Sequence, residues 1–408
     1  MKLLVFGINY SPELTGIGKY TSEMCAWLSE QGHNIDVITA MPYYPEWKIH
    51  SKYQNKYWHT EMIEGAKVHR CPLYVPQNIT GSKRIIHEFS FLVSSSIFWI
   101  KTLFKKHDVI ICICPPFHIG FIAWFFKSIK RTPIIYHIQD LQVDAARNLK
   151  ILKSDFLLTV LENAEKFILK RMNKVSSISE GMKKNILKKG VKESNYISLP
   201  NWVDTDFIKP INNVAILKTQ LGYKEEDKII LYSGNLGEKQ GLDIILEAAE
   251  ALKSETNIHF LLVGEGANKK QMQDIALSKK LNNLKFNQLF PYEQLPVLLS
   301  LADIHLVIQK SLASDLMLPS KLLSILSSGG LAIVTAEPNT SLYEIIQNNQ
   351  AGIIIPPESS SELLIAIKNN IFKDNQHIKN NARKFAIEEL NKDNVLRKFE
   401  NQLLILTQ

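Results

Sequence analysis

The stretch Leu231-Tyr-Ser-Gly-Asn-Leu-Gly-Glu-Lys-Gln-Gly241 contains the residues whose types and spacing point most directly to chemistry. An apolar run, Ile229 to Tyr232, opens it, and an apolar-periodic run, Leu242 to Leu252, follows. The order is strand, glycine-rich turn, helix. Gly234, Gly237 and Gly241 let backbone approach a ligand closely, and the N-terminus of the following helix offers unpaired N–H groups to an anion. Phosphate binding is the chemistry this predicts. A second such unit stands at the start of the chain, where Lys2 to Phe6 reads as a strand. Thr15-Gly-Ile-Gly18 then opens a helix with Tyr20, Met24, Trp27 and Leu28 on its apolar face. Gly16 and Gly18 supply the turn. Two units of this kind, far apart in sequence, predict two similar domains facing one ligand.

The elements that position these turns alternate along the chain. Ile35 to Ala40, Val109 to Cys114 and Ile134 to His137 are short β-branched runs of the kind buried on both faces of a parallel sheet. Ile229 to Tyr232, Phe260 to Val263, Ile304 to Ile308, Ala332 to Thr335 and Ile353 to Ile355 repeat the scheme. Helical patterns begin near Leu242, Asn268, Tyr292, Ser320, Thr340 and Ser359, and another runs from Leu161 to Met172. Alternation of this kind predicts an α/β protein with parallel sheets covered by helices. The length of 408 residues favours two domains. A boundary is expected near Leu199-Pro-Asn-Trp-Val-Asp204. That gives an acceptor-side domain over 1–200, a donor domain over 201–380 and a C-terminal helix over 381–408 packing back on the first domain. The helical stretch itself reads as Ile378 to Leu406.

Composition is that of a globular enzyme, with 45% hydrophobic and 22% charged residues. The net charge of +8 suits acidic partners, among them nucleotide phosphates and anionic lipid. The cysteines, Cys25, Cys71, Cys112 and Cys114, have no zinc-site spacing and are expected as buried thiols. Asn9 and Glu13 interrupt the apolar start, and no small-residue cleavage site follows, so a cytoplasmic location is expected. Between Lys83 and Phe126 aromatic residues crowd, and Lys83, Arg84, Lys101, Lys105 and Lys106 flank or interrupt them. No apolar span there reaches the roughly 20 residues a transmembrane helix needs. The segment reads either as core helices with a basic edge or as a face that lies on a membrane, with Phe98, Trp99 or Phe104 at the interface.

Several segments, in order, resemble the retaining glycosyltransferases of family four. They are Gly7-Ile-Asn-Tyr-Ser-Pro-Glu-Leu-Thr-Gly-Ile-Gly18, Tyr136-His-Ile-Gln-Asp140, Ser177-Ile-Ser-Glu-Gly-Met182, Leu199-Pro-Asn-Trp-Val-Asp204, Ser233-Gly-Asn-Leu-Gly237, Leu262-Val-Gly-Glu-Gly266, and Pro319-Ser-Lys321 with Gly329. The resemblance covers essentially the whole chain. It is nearest the branch that builds exopolysaccharide and O-antigen, including the colanic-acid fucosyltransferase type. It implies the GT-B fold of two facing Rossmann-like domains, a nucleotide-sugar donor (GDP- or UDP-linked), retention at the anomeric carbon and a polyprenyl-linked glycan acceptor. It also implies a peripheral place on the inner face of the plasma membrane, and no nucleic-acid partner.

Charge builds on the β-phosphate as the glycosidic bond breaks, so the site needs N–H groups and cations there. Family members usually carry an Arg after the first glycine of the turn and a Lys just before the last. Here Asn235 and Gln240 hold those places, with Lys239 adjacent. Lys239 and Lys321 are therefore the candidate cations, each also readable as a solvated lysine. Gly16, Gly18 and Gly264 join the donor set. Family members also carry two glutamates eight positions apart, the second five residues before a glycine. Counting back from Gly329 finds Ser324 and Leu316 instead, with Asp315 the nearest carboxylate, and Ser324 is left to hydrogen-bond a hydroxyl. His137 ends a strand at the carboxyl edge where open α/β sheets bind ligands. The resemblance puts a histidine there beside the donor sugar, against the alternative of a structural histidine. Asp140 reads as an acceptor contact or an N-cap, and Tyr10 and Glu13 lie in a loop where an acceptor fits. Asp204-Thr-Asp206 matches a metal-binding Asp-x-Asp but belongs to the family's linker motif, so no metal or other cofactor is expected. A nucleotide-sugar epimerase on the same fold and a non-catalytic nucleotide-sugar binder are the competing readings.

Overall fold

A computed structural model describes residues 1–13, 16–78, 80–148, 154–311 and 319–407, with the side chains of Asn148 and Lys239 outside that description. Two compact units divide the chain. One comprises Met1–Pro200 with Leu396–Gln408, the other Asn201–Val395.

The first unit is built on eight strands: β1 (Lys2–Phe6), β2 (Asn34–Ala40), β3 (His59–Ile63), β4 (Ala66–Cys71), β5 (Val109–Cys114), β6 (Ile134–Ile138), β7 (Lys174–Ser177) and β8 (Tyr196–Ser198). They form one sheet in the order β3-β4-β2-β1-β5-β6-β7-β8. All neighbours are parallel except β3 and β4, which pair antiparallel with Ile63 opposite Ala66. The sheet is parallel, as the alternation predicts, except at this one edge strand. His-Thr-Glu-Met-Ile is an edge strand whose alternating polar residues do not read as a buried run. β1 and β5 are neighbours, and the strand order reverses there. Ligands in open α/β sheets bind at the carboxyl ends of such strands. Leu4, Phe6, Ile110, Cys112 and Tyr136 lie in one buried cluster, packed by Phe91, Phe98 and Trp99 of the Gly81–Leu103 helix. The C-terminal segment of this unit is tied on by a 2.7 Å hydrogen bond between His33 Nε2 and Glu400 Oε1.

The second unit has a six-stranded parallel sheet: β9 (Lys228–Ser233), β10 (Ile258–Val263), β11 (Leu284–Asn287), β12 (Ile304–Val307), β13 (Ala332–Thr335) and β14 (Ile353–Ile355), ordered β11-β10-β9-β12-β13-β14. Alternate residues fill opposite faces. Ile230, Tyr232, Phe260 and Leu262 belong to one core cluster, Ile229, Leu231, Leu261 and Val263 to the other. A sheet buried on both sides explains why these strands read as unbroken apolar runs. The order reverses between β9 and β12. The C-terminal helical stretch is broken in two, Gln376–Glu389 and Lys392–Thr407. Asn391 sits in the break, where its side chain donates to Thr205 Oγ1 at 2.6 Å and accepts from Asn394 N at 3.1 Å.

Candidate active site

At the reversal point of the second sheet, β9 runs into the glycine turn. A short 3-10 turn over Glu238–Gln240 intervenes before the Asp243–Ala251 helix, so the turn does not lead straight into the helix. Tyr232 fixes the turn from below, its hydroxyl donating to Asn235 O at 2.8 Å. The loop after β10 packs directly on it, with Leu236 N donating to Glu265 O at 2.8 Å. Gly264 has φ +155, and a side chain there would place its Cβ 1.9 Å from Gly234 O. Only glycine satisfies both the backbone angle and that approach.

Lys321 opens the Ser320–Ser327 helix and reaches this turn. Its Nζ lies 3.0 Å from where a Cβ on Gly234 would be, and 3.7 Å from the centroid of the Tyr232 ring. The ammonium is buried and has no hydrogen-bond partner. Burial pushes its pKa down to about 7. A lone buried ammonium is costly unless an anion joins it. Two amide atoms at the same edge are also buried without partners, Gln240 Oε1 and Gln309 Nε2. Gln309 follows β12, and its backbone N–H donates to Thr335 Oγ1 at 2.7 Å. The stem of Lys310 packs against Gly241. Of the sequence-derived donor residues, Gly234, Asn235, Gly237, Gln240, Gly264 and Lys321 belong to this edge. Ser324 lies on the Lys321 helix, three residues further on. The Lys239 side chain, Asp315 and Leu316 lie outside the described residues. Gln309 and Lys310 are additions that only the pairing of β12 with β9 brings into view.

Asp204 spends its carboxylate on backbone, with Oδ1 accepting from Asp206 N at 3.1 Å and Phe207 N at 3.0 Å. Among the described residues no group of three His, Cys, Asp or Glu gathers as metal ligands do.

In the first unit, Gly16 and Gly18 open the Gly16–Glu30 helix after the loop that follows β1. Glu13 in that loop is buried. Its Oε1 accepts from Tyr43 N and Tyr44 N, both at 3.0 Å, and Oε2 from Asn9 Nδ2 at 2.9 Å. Burial raises its pKa, and the two backbone donors oppose the rise. With three hydrogen bonds Glu13 shapes the loop. Tyr10 is also buried, its hydroxyl without a hydrogen-bond partner, and Arg70 stands 6.0 Å from its ring centroid.

His137, 2% exposed, is flanked by Ser176 Oγ at 2.9 Å from Nδ1 and by Gln139 Nε2 at 3.0 Å from Nε2. The Gln139 donor places the imidazole proton on Nδ1. Burial lowers the pKa of the ring to about 3, so it is neutral at ordinary pH. Asp140 is half-buried, and its carbonyl oxygen lies 3.9 Å from Cys114 Sγ.

Sequence reasoning missed a polar group at the same sheet edge. Glu88 Oε1 accepts from Gln142 Nε2 at 3.2 Å and pairs with Arg84 Nε at 3.3 Å, while Oε2 lies 3.9 Å from His118 Nδ1. Burial raises the pKa of Glu88 and lowers that of His118 to about 4. An Arg–Glu pair four residues apart inside an apolar helix was the available signal.

The same helix presents an apolar stripe to solvent, with Ile86, Phe89, Val93, Ile97, Ile100 and Phe104 at helical spacing and Phe104 86% exposed. Phe98 and Trp99, which the sequence leaves either in the core or at an interface, are core residues, 6% and 5% exposed, with Trp99 packed on Phe6 at 4.9 Å. Among the described residues no helix is long and apolar enough to cross a membrane.

Over residues 15–202 the chain matches the family model described as Glycosyl transferase 4-like domain, and over 214–385 the one described as Glycosyl transferases group 1. It is 40% identical over 410 residues to the putative colanic acid biosynthesis glycosyl transferase WcaI of Escherichia coli (strain K12), covering 99% of this chain and 100% of that one. The solved structures that share its fold include the following two. Sucrose-phosphate synthase from Thermosynechococcus elongatus superposes with TM-score 0.76 at 16% identity, over 100% of this chain and 99% of the other. Anabaena HepE, solved in complex with UDP, superposes with TM-score 0.74 at 14% identity, over 99% of this chain and 100% of the other.

Proposed function

This chain belongs to the family-four glycosyltransferases, with the GT-B fold, and on that premise we propose which reaction it runs. It moves a hexose or deoxyhexose from a GDP- or UDP-linked donor to a lipid-linked glycan in exopolysaccharide or O-antigen assembly, with retention at the anomeric carbon. The observation that carries the donor half is the buried, unpartnered Lys321 ammonium beside Gly234. A diphosphate bound there would complete its charge pairing and be held by turn amides as charge develops on the leaving group. The UDP bound to HepE, and the assignment of WcaI to colanic acid biosynthesis, support the substrate class. Gly16, Gly18, Gly234, Asn235, Gly237, Lys239, Gln240, Gly264, Lys321 and Ser324 form the donor side in this reading. His137 stands beside the donor sugar, Asp140 joins it at the reacting centre, and Tyr10 and Glu13 lie on the acceptor side.

The donor reading is tested by thermal shift with GDP, UDP and their sugars. A ligand at a hundredfold excess over its Kd adds about 2.7 kcal/mol to the folded state, a rise of a few degrees in melting temperature. No rise with any of these compounds would remove the donor assignment.

For the acceptor, the exposed stripe from Ile86 to Phe104 lies along an anionic membrane surface, with Lys83, Lys101 and Lys106 beside it and the acceptor lipid in the same leaflet. The location is then cytoplasmic and peripheral. Each lysine near such a surface adds about 1 kcal/mol. Vesicles containing phosphatidylglycerol should pellet the protein at low salt, and paired Val93→Asp and Ile97→Asp substitutions should release it. Retention of the double variant on vesicles would exclude this face. Phe98→Ala, by contrast, should lower the melting temperature, because Phe98 is core.

A further inference from the structure

The glycine turn of the second unit lacks a basic residue at both Asn235 and Gln240, and the structure assigns a substitute from the neighbouring strand. We infer that Lys310, with Gln309 beside it, is a ligand of the nucleoside diphosphate that the second unit binds. This rests on the donor reading above and adds a residue to it.

Lys310 leaves the carboxyl end of β12. That strand pairs with β9 through Ile304 opposite Ile230 and His305 opposite Leu231. The two loops after them, 234–241 and 308–311, therefore meet where the strand order reverses, the place at which such sheets take their ligands. The contact between them is specific. Gly241 has φ +66, and a Cβ there would lie 3.0 Å from Lys310 Cγ, 3.4 Å from Cε and 3.8 Å from Cδ. Glycine at 241 is thus needed for its backbone angle and because the lysine stem occupies the space of a side chain. None of the described residues accepts a hydrogen bond from the Lys310 ammonium.

The surroundings point to an anion. Gln309 Nε2 is a buried donor with no acceptor, on a residue whose backbone is fixed through Thr335 Oγ1. Lys321 brings a second unpartnered ammonium to the same turn. Lys321 Nζ and Gln309 Nε2 are buried donors without an acceptor among the described residues, and the Lys310 stem reaches the same turn. A diphosphate, with two to three negative charges and several acceptor oxygens, satisfies these donors. A nucleoside without phosphates would not.

The test is calorimetric titration of the full chain with UDP, GDP, ADP and dTDP, with uridine and guanosine as phosphate-free controls. Wild type should bind at least one diphosphate. Lys310→Met should bind it at least tenfold more weakly, the size expected for one lost charge-assisted contact. Lys310→Arg should stay close to wild type. Gly241→Ala should weaken binding in the same sense, by displacing the lysine stem. Lys310→Met affinity equal to wild type overturns the inference while leaving the donor reading intact. Failure of wild type to bind any of the four diphosphates overturns both. If Lys310→Met is poorly folded, Lys310→Gln gives the same comparison with a polar end on the stem.

Discussion

Lys321→Met is expected to weaken nucleoside diphosphate binding at least tenfold near pH 7 and to remove a pH dependence that wild type shows. The Lys321 ammonium is buried beside Gly234 without a partner, and burial pushes its pKa down to about 7. A bound diphosphate favours the charged form, so binding takes up a proton above that pH. Affinity of wild type should therefore fall as pH rises from about 7.5 to 9, by up to tenfold per unit. The terminal phosphate, with a second pKa near 6, is already ionised across this window. The variant should be flat there. Stability measured without nucleotide should run the opposite way with pH. An unfolded lysine titrates near 10.4, so between about 7 and 10 the unfolded chain holds more protons than the folded one. Stability then rises with pH as the burial penalty on Lys321 is relieved. Urea midpoints at pH 7 and 9 should separate for wild type and converge for Lys321→Met. Equal diphosphate affinities for the two proteins at pH 7 would take Lys321 out of the donor site.

Much of this site was legible because glycine and strand patterning are local signals. Gly234 and Gly264 announce a turn that carries backbone close to backbone, and the apolar runs of β9, β10, β12 and β13 announce a sheet buried on two faces. Lys310 was not legible, since nothing in the sequence says that the strand after residue 303 lies beside β9 rather than β10. That is a fact of topology. The Gly81–Leu103 helix failed for a different reason. It carries two apolar stripes, one with Phe91, Phe98 and Trp99 and one with Phe89, Val93 and Ile97, and a sequence with no polar contrast between them does not tell which faces the core. The split of the last helix at Asn391 depends on a bond to Thr205, 186 residues away in sequence, which no local pattern encodes.

His137 shows how far residue type alone carries. The sequence leaves it either beside the donor sugar or as a structural histidine, and in the fold the ring is 2% exposed, flanked by Ser176 and Gln139, with burial pushing its pKa down to about 3. The ring is neutral at ordinary pH, and two consequences follow. Turnover should show no acid limb near pH 6.5 that disappears in His137→Gln. Stability, however, should carry the mark of this histidine. An unfolded histidine titrates near 6.5, so as pH falls from there towards 3 the unfolded chain takes up a proton that the folded ring refuses. Stability is fully present above about 6.5 and declines below it. At pH 5 the loss is 1.5 pH units, about 2 kcal/mol for this one group. His118, lowered to about 4, adds a comparable loss in the same unit. Glu13 and Glu88, raised by burial, gain from protonation and oppose the decline, so the total for wild type is not the diagnostic quantity. The difference between proteins is. His137→Gln, which cannot charge, should lose about 2 kcal/mol less than wild type between pH 7 and pH 5 in urea unfolding. Equal losses in the two proteins would mean that the folded ring accepts a proton after all. The residue would then be free to serve as an acid or base at the sugar.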